Sequence, residues 1–162
     1  MGKRILLAGY FGEGNLGDDA IFLGLLQGLQ GAGVDVTVMS GAPEDTYRLY
    51  GVRSIPRRDL AGFRTEIANH DALVFPGGSI FQDVSSVRST MYYSALVKSA
   101  RAANKKVILL GQGVGPLKTA CGKSFARKAF NSCHAIGVRD PGSAATLRNL
   151  GVKVPAKVTG DM

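Results

Sequence analysis

The chain has 162 residues, of which 45% are hydrophobic and 20% charged, and its formal net charge is +8. This length suits one globular domain with a core large enough to need neither disulfides nor a structural metal. The positive charge invites a nucleic-acid interpretation. However, the basic residues are spread along the chain, and no aromatic residues alternate with them as a base-stacking platform requires. We therefore expect no nucleic-acid partner and assign most of these charges to solvated helix faces.

The N-terminus and the cysteines indicate the compartment. Residues Met1–Arg4 precede the apolar run Ile5–Ala8, which is too short for a signal peptide or a membrane span. Cys121 and Cys133 form no metal-ligand or redox motif and are typical of free thiols in a reducing compartment. We expect a cytoplasmic protein that does not span a membrane, whose remaining positive charge suits an anionic ligand or peripheral contact with the inner membrane face.

Short apolar runs alternate with amphipathic segments from the start of the chain. The first half predicts a strand at Arg4–Ala8, a helix at Gly17–Ala32, a strand at Val34–Met39, a helix at Pro43–Gly51, a strand at Val52–Ile55 and a helix that Asp59 caps and that runs to Asn69. His70 follows this helix, and its place at the helix end favours a dipole-complementing or surface role over metal binding.

The second half continues the alternation. It predicts a strand at Ala72–Phe75, a helix at Ser86–Ala103, a strand at Lys106–Leu110 and a helix at Thr119–Ser132. It then predicts a strand at Ala135–Val138 after a structural His134, a helix from Asp140 to Leu150, and a last strand at Lys157–Thr159. The helix at Ser86–Ala103 carries two apolar stripes, one of Val87, Met91 and Ala95 and another of Tyr92, Leu96 and Ala103. This alternation predicts an α/β fold, a Rossmann-like parallel sheet with helices on both faces, in a single domain over residues 1–162.

Residues Gly12–Gly17 match the G-x-G-x-x-G pattern of dinucleotide-binding loops. Two observations disfavour such a site. The strand at Val34–Met39 ends without the acid that would hold a ribose, and Asp18 and Asp19 crowd the helix N-terminus where a pyrophosphate needs positive potential. The two carboxylates also suit the ordinary role of complementing the helix dipole.

Four loops follow predicted strand ends, at Tyr10–Asp19, Pro76–Asp83, Gly111–Pro116 and Arg139–Asp140. In a parallel sheet these loops emerge at one edge, and with the strand order 3-2-1-4-5-6 the first two face each other across a crevice. Three glycine-rich loops at one edge exceed what tight turns alone require. We therefore predict a ligand site there, with these candidate substrate-binding residues: Gly14, Asn15, Gly17, Gly77, Gly78, Ser79, Gln82, Asp83, Gln112 and Gly113.

The chemistry of this set suits a sugar and an anion. Amides and carboxylates beside Tyr10 can bind hydroxyl groups, and the planar fork of Arg139 can bind a carboxylate or a phosphate through two hydrogen bonds. No metal-binding motif, Ser-His-Asp pattern or P-loop is present. We expect catalysis by positioning and a carboxylate base, with Asp18 and Asp83 as candidates and without metal.

Four stretches of the chain resemble the polysaccharide pyruvyl transferase family, especially the bacterial cell-wall type called CsaB. They are Gly9–Ala20 (GYFGEGNLGDDA), Phe75–Asp83 (FPGGSIFQD), Gly111–Leu117 (GQGVGPL) and Gly137–Ser143 (GVRDPGS), in the family's order across nearly the whole chain. The resemblance implies transfer of the enolpyruvyl unit of phosphoenolpyruvate, without a further cofactor, onto two hydroxyls of a sugar with release of phosphate. It also implies an acceptor that is a lipid-linked or polymer-precursor saccharide, typically an N-acetylmannosamine unit of the secondary cell-wall polymer.

The resemblance further implies a two-domain fold similar to that of GT-B glycosyltransferases, with the active site between the domains. Family members are much longer than this chain, which therefore corresponds to the N-terminal domain and is expected to be inactive alone. The missing C-terminal domain would bring a histidine that acts as the general acid, together with further arginines. In this chain the resemblance assigns Asp18 to an acceptor hydroxyl and Arg139 to the donor's phosphate or carboxylate.

Two alternatives stay open. A nucleotide-sugar glycosyltransferase of GT-B type would keep the fold and use a UDP-sugar. A glycan-binding or assembly module without chemistry would bind glycan through this domain alone. An apolar face left uncovered by a missing domain would predict self-association into a homo-oligomer.

Overall fold

The computed structural model describes residues 2–84 and 86–160 of the chain. Strands and helices alternate along it as the sequence predicts. The elements are β1 (Lys3–Phe11), α1 (Leu16–Gly28), β2 (Val34–Ser40), α2 (Pro43–Tyr50), β3 (Arg53–Pro56), α3 (Leu60–Ala68), β4 (Ala72–Phe75), α4 (Arg88–Ala102), β5 (Lys106–Gln112), α5 (Ala120–Asn131), β6 (Ala135–Val138), α6 (Pro141–Asn149) and β7 (Ala156–Val158).

The strands of the described chain form one all-parallel sheet in the order β3-β2-β1-β4-β5-β6-β7. This confirms the predicted α/β Rossmann-like fold and the predicted order, to which β7 adds an edge strand. Strand β1 pairs with β4, with Leu6 opposite Leu73. The order reverses at these two strands, so the loops that follow them diverge and leave a crevice at the carboxyl edge of the sheet.

Two hydrophobic clusters cover the two faces of the sheet. Alternate residues of a strand point to opposite faces, so Leu6 belongs to one cluster and Leu7 to the other. Helices α3 to α6 pack on the Leu6 side, whereas α1 packs on the Leu7 side through Phe22 and Leu25. The central strands are therefore buried on both faces, which explains their continuous apolar runs.

Several element ends differ from the predictions. Helix α1 ends at Gly28, before the predicted end, and α4 begins at Arg88. Strands β1 and β5 continue to Phe11 and Gln112, beyond their predicted ends, because both strands resume pairing after a shift in register. The extension carries β5 into a glycine-rich segment that the sequence predicts as loop.

Of the two apolar stripes predicted for α4, that of Tyr92, Leu96 and Ala103 packs against the core, whereas that of Val87, Met91 and Ala95 is wrong. Met91 is 42% exposed, while Thr90 and Tyr93 are buried against the sheet. Polar groups can occupy this face because their hydroxyls find partners: Thr90 Oγ1 donates to Gln82 O at 3.0 Å. Hydrophobicity alone therefore found only part of the buried face of this helix.

Of the two roles predicted for His70, the surface role is wrong, because the side chain is buried. Its Nε2 lies 3.0 Å from Thr37 Oγ1 and its Nδ1 lies 2.6 Å from Glu66 O. The second contact involves a carbonyl in the last turn of α3, so the ring joins that helix end to β2. The exposed His134 accepts a hydrogen bond from Val107 N through Nδ1 at 3.0 Å, a contact that ties its backbone segment to β5.

The buried Phe81 fixes the loop that follows β4. Its ring centroid lies 4.8 Å from that of Phe130, and its carbonyl accepts a hydrogen bond from Gly115 N at 3.0 Å. Phe81 also forms a parallel bridge with Val114, from the loop that follows β5. The backbone of Phe81 thus joins two of the glycine-rich loops, and its ring anchors this junction in the core.

We predict that Phe81→Ala lowers the free energy of unfolding by about 3–5 kcal/mol, because it removes a buried ring and leaves a cavity. Denaturant unfolding followed by circular dichroism would measure this loss. Leu49, which is 68% exposed, provides the control, because Leu49→Ala should change stability by less than about 0.5 kcal/mol. Equal effects of the two substitutions would contradict the anchoring role of Phe81.

Candidate functional site

A cavity of about 750 Å³ lies at the carboxyl edge of the sheet, between the loops after β1 and β4. Strand β6 contributes to it through the residue that follows its end. Predicted site residues on its lining are Asn15, Gly17, Asp18, Gly78, Ser79, Gln82 and Arg139. Tyr10, Ser89 and Tyr93 line it as well. The topology therefore brings together side chains that are more than one hundred residues apart in sequence.

The two aspartates in the first turn of α1 lie in different surroundings. Asp19 Oδ1 accepts a hydrogen bond from Gly12 N at 3.0 Å and so closes the loop on itself. Asn15 caps α1, its side chain accepting from Gly17 N at 3.1 Å. Asp18 faces the cavity, and a Cβ atom added to Gly78 would lie 2.8 Å from its Oδ1. The carboxylate thus lies directly against the backbone of the opposite loop.

Arg139 lies against the loop after β5, which contacts the loop that Asp18 approaches. Gly113 N donates to Gly78 O at 2.9 Å, which joins the loops after β4 and β5. A Cβ atom on Gly113 would lie 2.7 Å from Arg139 Cζ and 2.5 Å from Ser79 Oγ. Glycine at position 113 is therefore what allows the guanidinium and the hydroxyl to approach this backbone.

Asp140 orients the guanidinium. Arg139 Nε donates to Asp140 Oδ2 at 3.0 Å, and Asp140 Oδ1 accepts from Ser143 N at 2.6 Å as the cap of α6. The hydrogen bond from Ser143 N and then that from Arg139 hold the pKa of the Asp140 carboxyl below its usual value. The Arg139 side chain is 42% exposed, and within the described residues its two terminal nitrogens form no hydrogen bond. These nitrogens can therefore meet an anion in the cavity.

A second arginine, which the sequence did not single out for the site, lies behind one wall of the cavity. Arg57 follows the carboxyl end of β3, and its Nη1 lies 2.7 Å from Glu13 Oε1 in the glycine loop. Its Cζ stands 4.5 Å from the centre of the Tyr10 ring, and its Nη2 lies 3.4 Å from the Tyr93 hydroxyl. The sequence offers one signal for Arg57, its position two residues after the predicted strand end at Ile55.

A family model described as polysaccharide pyruvyl transferase matches residues 15–162. The chain belongs to the polysaccharide pyruvyl transferase family. The comparison with curated proteins gave no match. The matched segment takes in Asp18, Gly78 and Arg139, that is, residues from three of the loops that meet at the cavity.

Membership of this transferase family agrees with the resemblance seen in the sequence, but the family's stretches do not contribute equally to the cavity. Gly14 is exposed and lies outside the cavity lining, and Gly77 is buried. Gly113 contributes through the space it leaves for Arg139. Gln112 is fully buried, and its Nε2 donates to Gly77 O at 2.7 Å and to Phe75 O at 3.2 Å. Gln112 therefore supports the loop after β4 and does not face the cavity.

Asp83 is a correction to the predicted set, because its carboxylate points into the protein. Oδ1 accepts from Lys118 N at 2.6 Å, and Oδ2 accepts from Thr119 N at 2.9 Å and from Thr119 Oγ1 at 2.5 Å. The hydroxyl of Thr119, followed by the two backbone groups, lowers the pKa of the Asp83 carboxyl. With its oxygens occupied at the start of α5, Asp83 is not placed to act as the predicted base.

No group of three or more His, Cys, Asp or Glu side chains in the described part of the chain could hold a metal ion. No helix among the same residues is long and apolar enough to cross a membrane.

We predict that Asp83→Asn lowers the free energy of unfolding at pH 7 by about 1–3 kcal/mol, since hydrogen bonds to an ionised group are lost. Because the folded pKa is depressed, the contribution of Asp83 is present above the unfolded pKa of about 3.9 and is lost as the pH falls through the folded pKa. Urea unfolding of both proteins between pH 7 and pH 2 should show the stability difference shrinking below about pH 4.

The exposed Asp45, which pairs with Arg48 on the surface, supplies the control for a general effect of charge. Asp45→Asn should change stability little across this range. A difference between wild type and Asp83→Asn that stays constant down to pH 2 would contradict the role of the ionised Asp83 carboxylate.

Proposed function

We propose that this transferase makes a pyruvate ketal, moving the enolpyruvyl unit of phosphoenolpyruvate onto two hydroxyls of a saccharide and releasing phosphate. The observation that carries the proposal is the placement of one carboxylate, Asp18, and one cation, Arg139, on either side of the Gly78–Gly113 backbone contact in a single cavity. Membership of the family supports the reaction class. The acceptor we propose is a lipid-linked or polymer-precursor saccharide of the cell wall, as for the CsaB type.

Arg139 is proposed to bind the donor. Phosphoenolpyruvate carries a carboxylate and a phosphate, and a guanidinium binds either through two parallel hydrogen bonds. Because Asp140 engages Nε, the two terminal nitrogens can present this fork to the ligand. Ser79 Oγ lies against the same glycine and adds a hydroxyl to the anion-binding side of the cavity.

Asp18 is proposed to act on the acceptor. In the reaction a sugar hydroxyl adds to C2 of the enolpyruvyl group and loses its proton, for which Asp18 is the proposed base. The methylene carbon gains a proton and becomes a methyl group. The second hydroxyl then replaces phosphate at C2 and closes the ketal, and its proton leaves with the phosphate. Among the described residues we assign the base to Asp18 and the binding of the anion to Arg139. We propose that the general acid, a histidine, belongs to a C-terminal domain and that the acceptor approaches from the inner membrane face.

The direct test is phosphate release from phosphoenolpyruvate in the presence of a lipid-linked N-acetylmannosamine acceptor. This chain and a version extended past residue 162 are assayed in parallel, and we expect release from the extended form. A UDP-sugar replaces phosphoenolpyruvate in a control reaction. Transfer from the UDP-sugar with no phosphate release would favour a glycosyltransferase, whereas glycan binding without any transfer would favour a binding module.

Two substitutions should separate the proposed roles. Arg139→Ala should raise the KM for phosphoenolpyruvate by more than about tenfold, since a charged hydrogen bond is worth about 1.5–3 kcal/mol. Asp18→Asn should lower kcat about one hundredfold or more and change this KM much less, because it removes a base but no donor contact. Steady-state kinetics in the active form measure both values, and each variant is the control for the other.

An unchanged KM for phosphoenolpyruvate in Arg139→Ala would exclude Arg139 from donor binding. Turnover at the wild-type rate in Asp18→Asn would exclude Asp18 as the base.

A further inference from the structure

Arg57 is fixed in place from several directions. Its side chain is 13% exposed and its partner Glu13 is 22% exposed, so the pair is partly withdrawn from water. The guanidinium stands over the ring of Tyr10, and the backbone carbonyl of Arg57 accepts a hydrogen bond from the Tyr92 hydroxyl. Its buried Nε has no partner among the described residues. An arginine held at the cost of an unsatisfied nitrogen is more than a solvated surface charge.

In the contact between Arg57 and Tyr93, chemistry determines which group donates the hydrogen bond. A guanidinium can only donate hydrogen bonds, so in the 3.4 Å contact the Tyr93 oxygen is the acceptor. The single proton of the phenol must then point elsewhere. Within residues 2–84 and 86–160 the hydroxyl has no second hydrogen-bond partner. Tyr93 is buried, but it forms part of the cavity lining.

The phenol remains a donor at physiological pH. Burial, in the first place, raises the pKa of Tyr93 to about 12, and the nearby Asp18 carboxylate acts in the same direction. Tyr93 lines the cavity together with Asp18, whereas Arg139, which also lines it, packs against Gly113. The Asp18 carboxylate repels the anionic phosphoenolpyruvate, so a neutral, hydroxyl-rich ligand fits better beside Asp18.

We propose that the Tyr93 hydroxyl donates a hydrogen bond to an oxygen of the acceptor saccharide beside Asp18. Arg57 is then the positioning residue that directs this hydroxyl. Glu13 holds Arg57 and links it to the loop that leads into α1, whose first turn carries Asp18. This assignment rests on the proposed function, because it names the acceptor as the ligand of the Tyr93 side.

Tyr93→Phe is the decisive variant, because it removes only the hydroxyl and keeps the ring that packs on Phe75 and Phe81. Tyr92→Phe is the matched control: it removes a neighbouring hydroxyl that also contacts Arg57 but lies outside the cavity lining. Calorimetric titration with a soluble N-acetylmannosamine glycoside measures binding to this chain. We expect affinity to fall about three- to tenfold in Tyr93→Phe, as for one lost hydrogen bond, and less than about twofold in Tyr92→Phe.

Arg57→Met tests the positioning role. It should weaken glycoside binding about as much as Tyr93→Phe, and the double variant should bind no more weakly than Tyr93→Phe alone, because Arg57 acts through the hydroxyl. A merely structural role would give additive losses together with lower melting temperatures. Thermal unfolding of all four variants therefore accompanies the titrations.

The outcomes separate this assignment from the proposed reaction. Glycoside binding that is lost in Tyr93→Phe supports the assignment even when phosphate release fails, in which case only the reaction is wrong. Binding that is unchanged in Tyr93→Phe, equal losses in Tyr92→Phe, or no binding of the glycoside to the wild-type chain would each overturn it. A fall in kcat with unchanged glycoside affinity would also overturn it, because the hydroxyl would then act on Asp18.

Discussion

The site depends on one backbone contact at the carboxyl edge of the sheet. The hydrogen bond from Gly113 N to Gly78 O, at 2.9 Å, joins the loops after β4 and β5. On one side of this contact lies Asp18 and on the other lies Arg139, each closer to a glycine than a methyl group would allow. The separation of the carboxylate and the guanidinium is therefore set by bare backbone, which is less adjustable than a layer of side chains.

Polar residues that support this backbone are as important as those that face the cavity. A buried carbonyl without a partner is costly, so the carbonyls of Phe75 and Gly77 require the side-chain amide of Gln112. Asp83 does the same for two backbone N–H groups at the start of α5. Polar residues in glycine-rich loops thus divide into a few that can meet a ligand and several that replace missing secondary-structure hydrogen bonds.

This division explains what could be predicted from sequence. The strand order followed from the alternation of elements, and the caps at Asp59 and Asp140 followed from contacts over a few residues. The interior orientation of Asp83 and the buried face of α4 depend instead on partners many residues away, such as Thr119 for Asp83. A hydropathy pattern reports average burial and cannot show that a polar side chain has found a partner inside the protein.

Arg57 illustrates the same limit for electrostatics. The net charge of +8 says little about the cavity, because the positive charge nearest to Tyr10 and Tyr93 is paired with Glu13. That pair joins residues 44 positions apart. It brings the charge of Arg57 from the end of β3 to the cavity wall, where the Glu13 carboxylate neutralises it. Within the described lining, Asp18 and Arg139 are then the ionic groups that a ligand meets, at opposite sides of the Gly78–Gly113 contact. Such a local dipole orients a ligand that carries an anionic part and a hydroxylated part, whereas a uniformly positive cavity would bind the anion in any orientation.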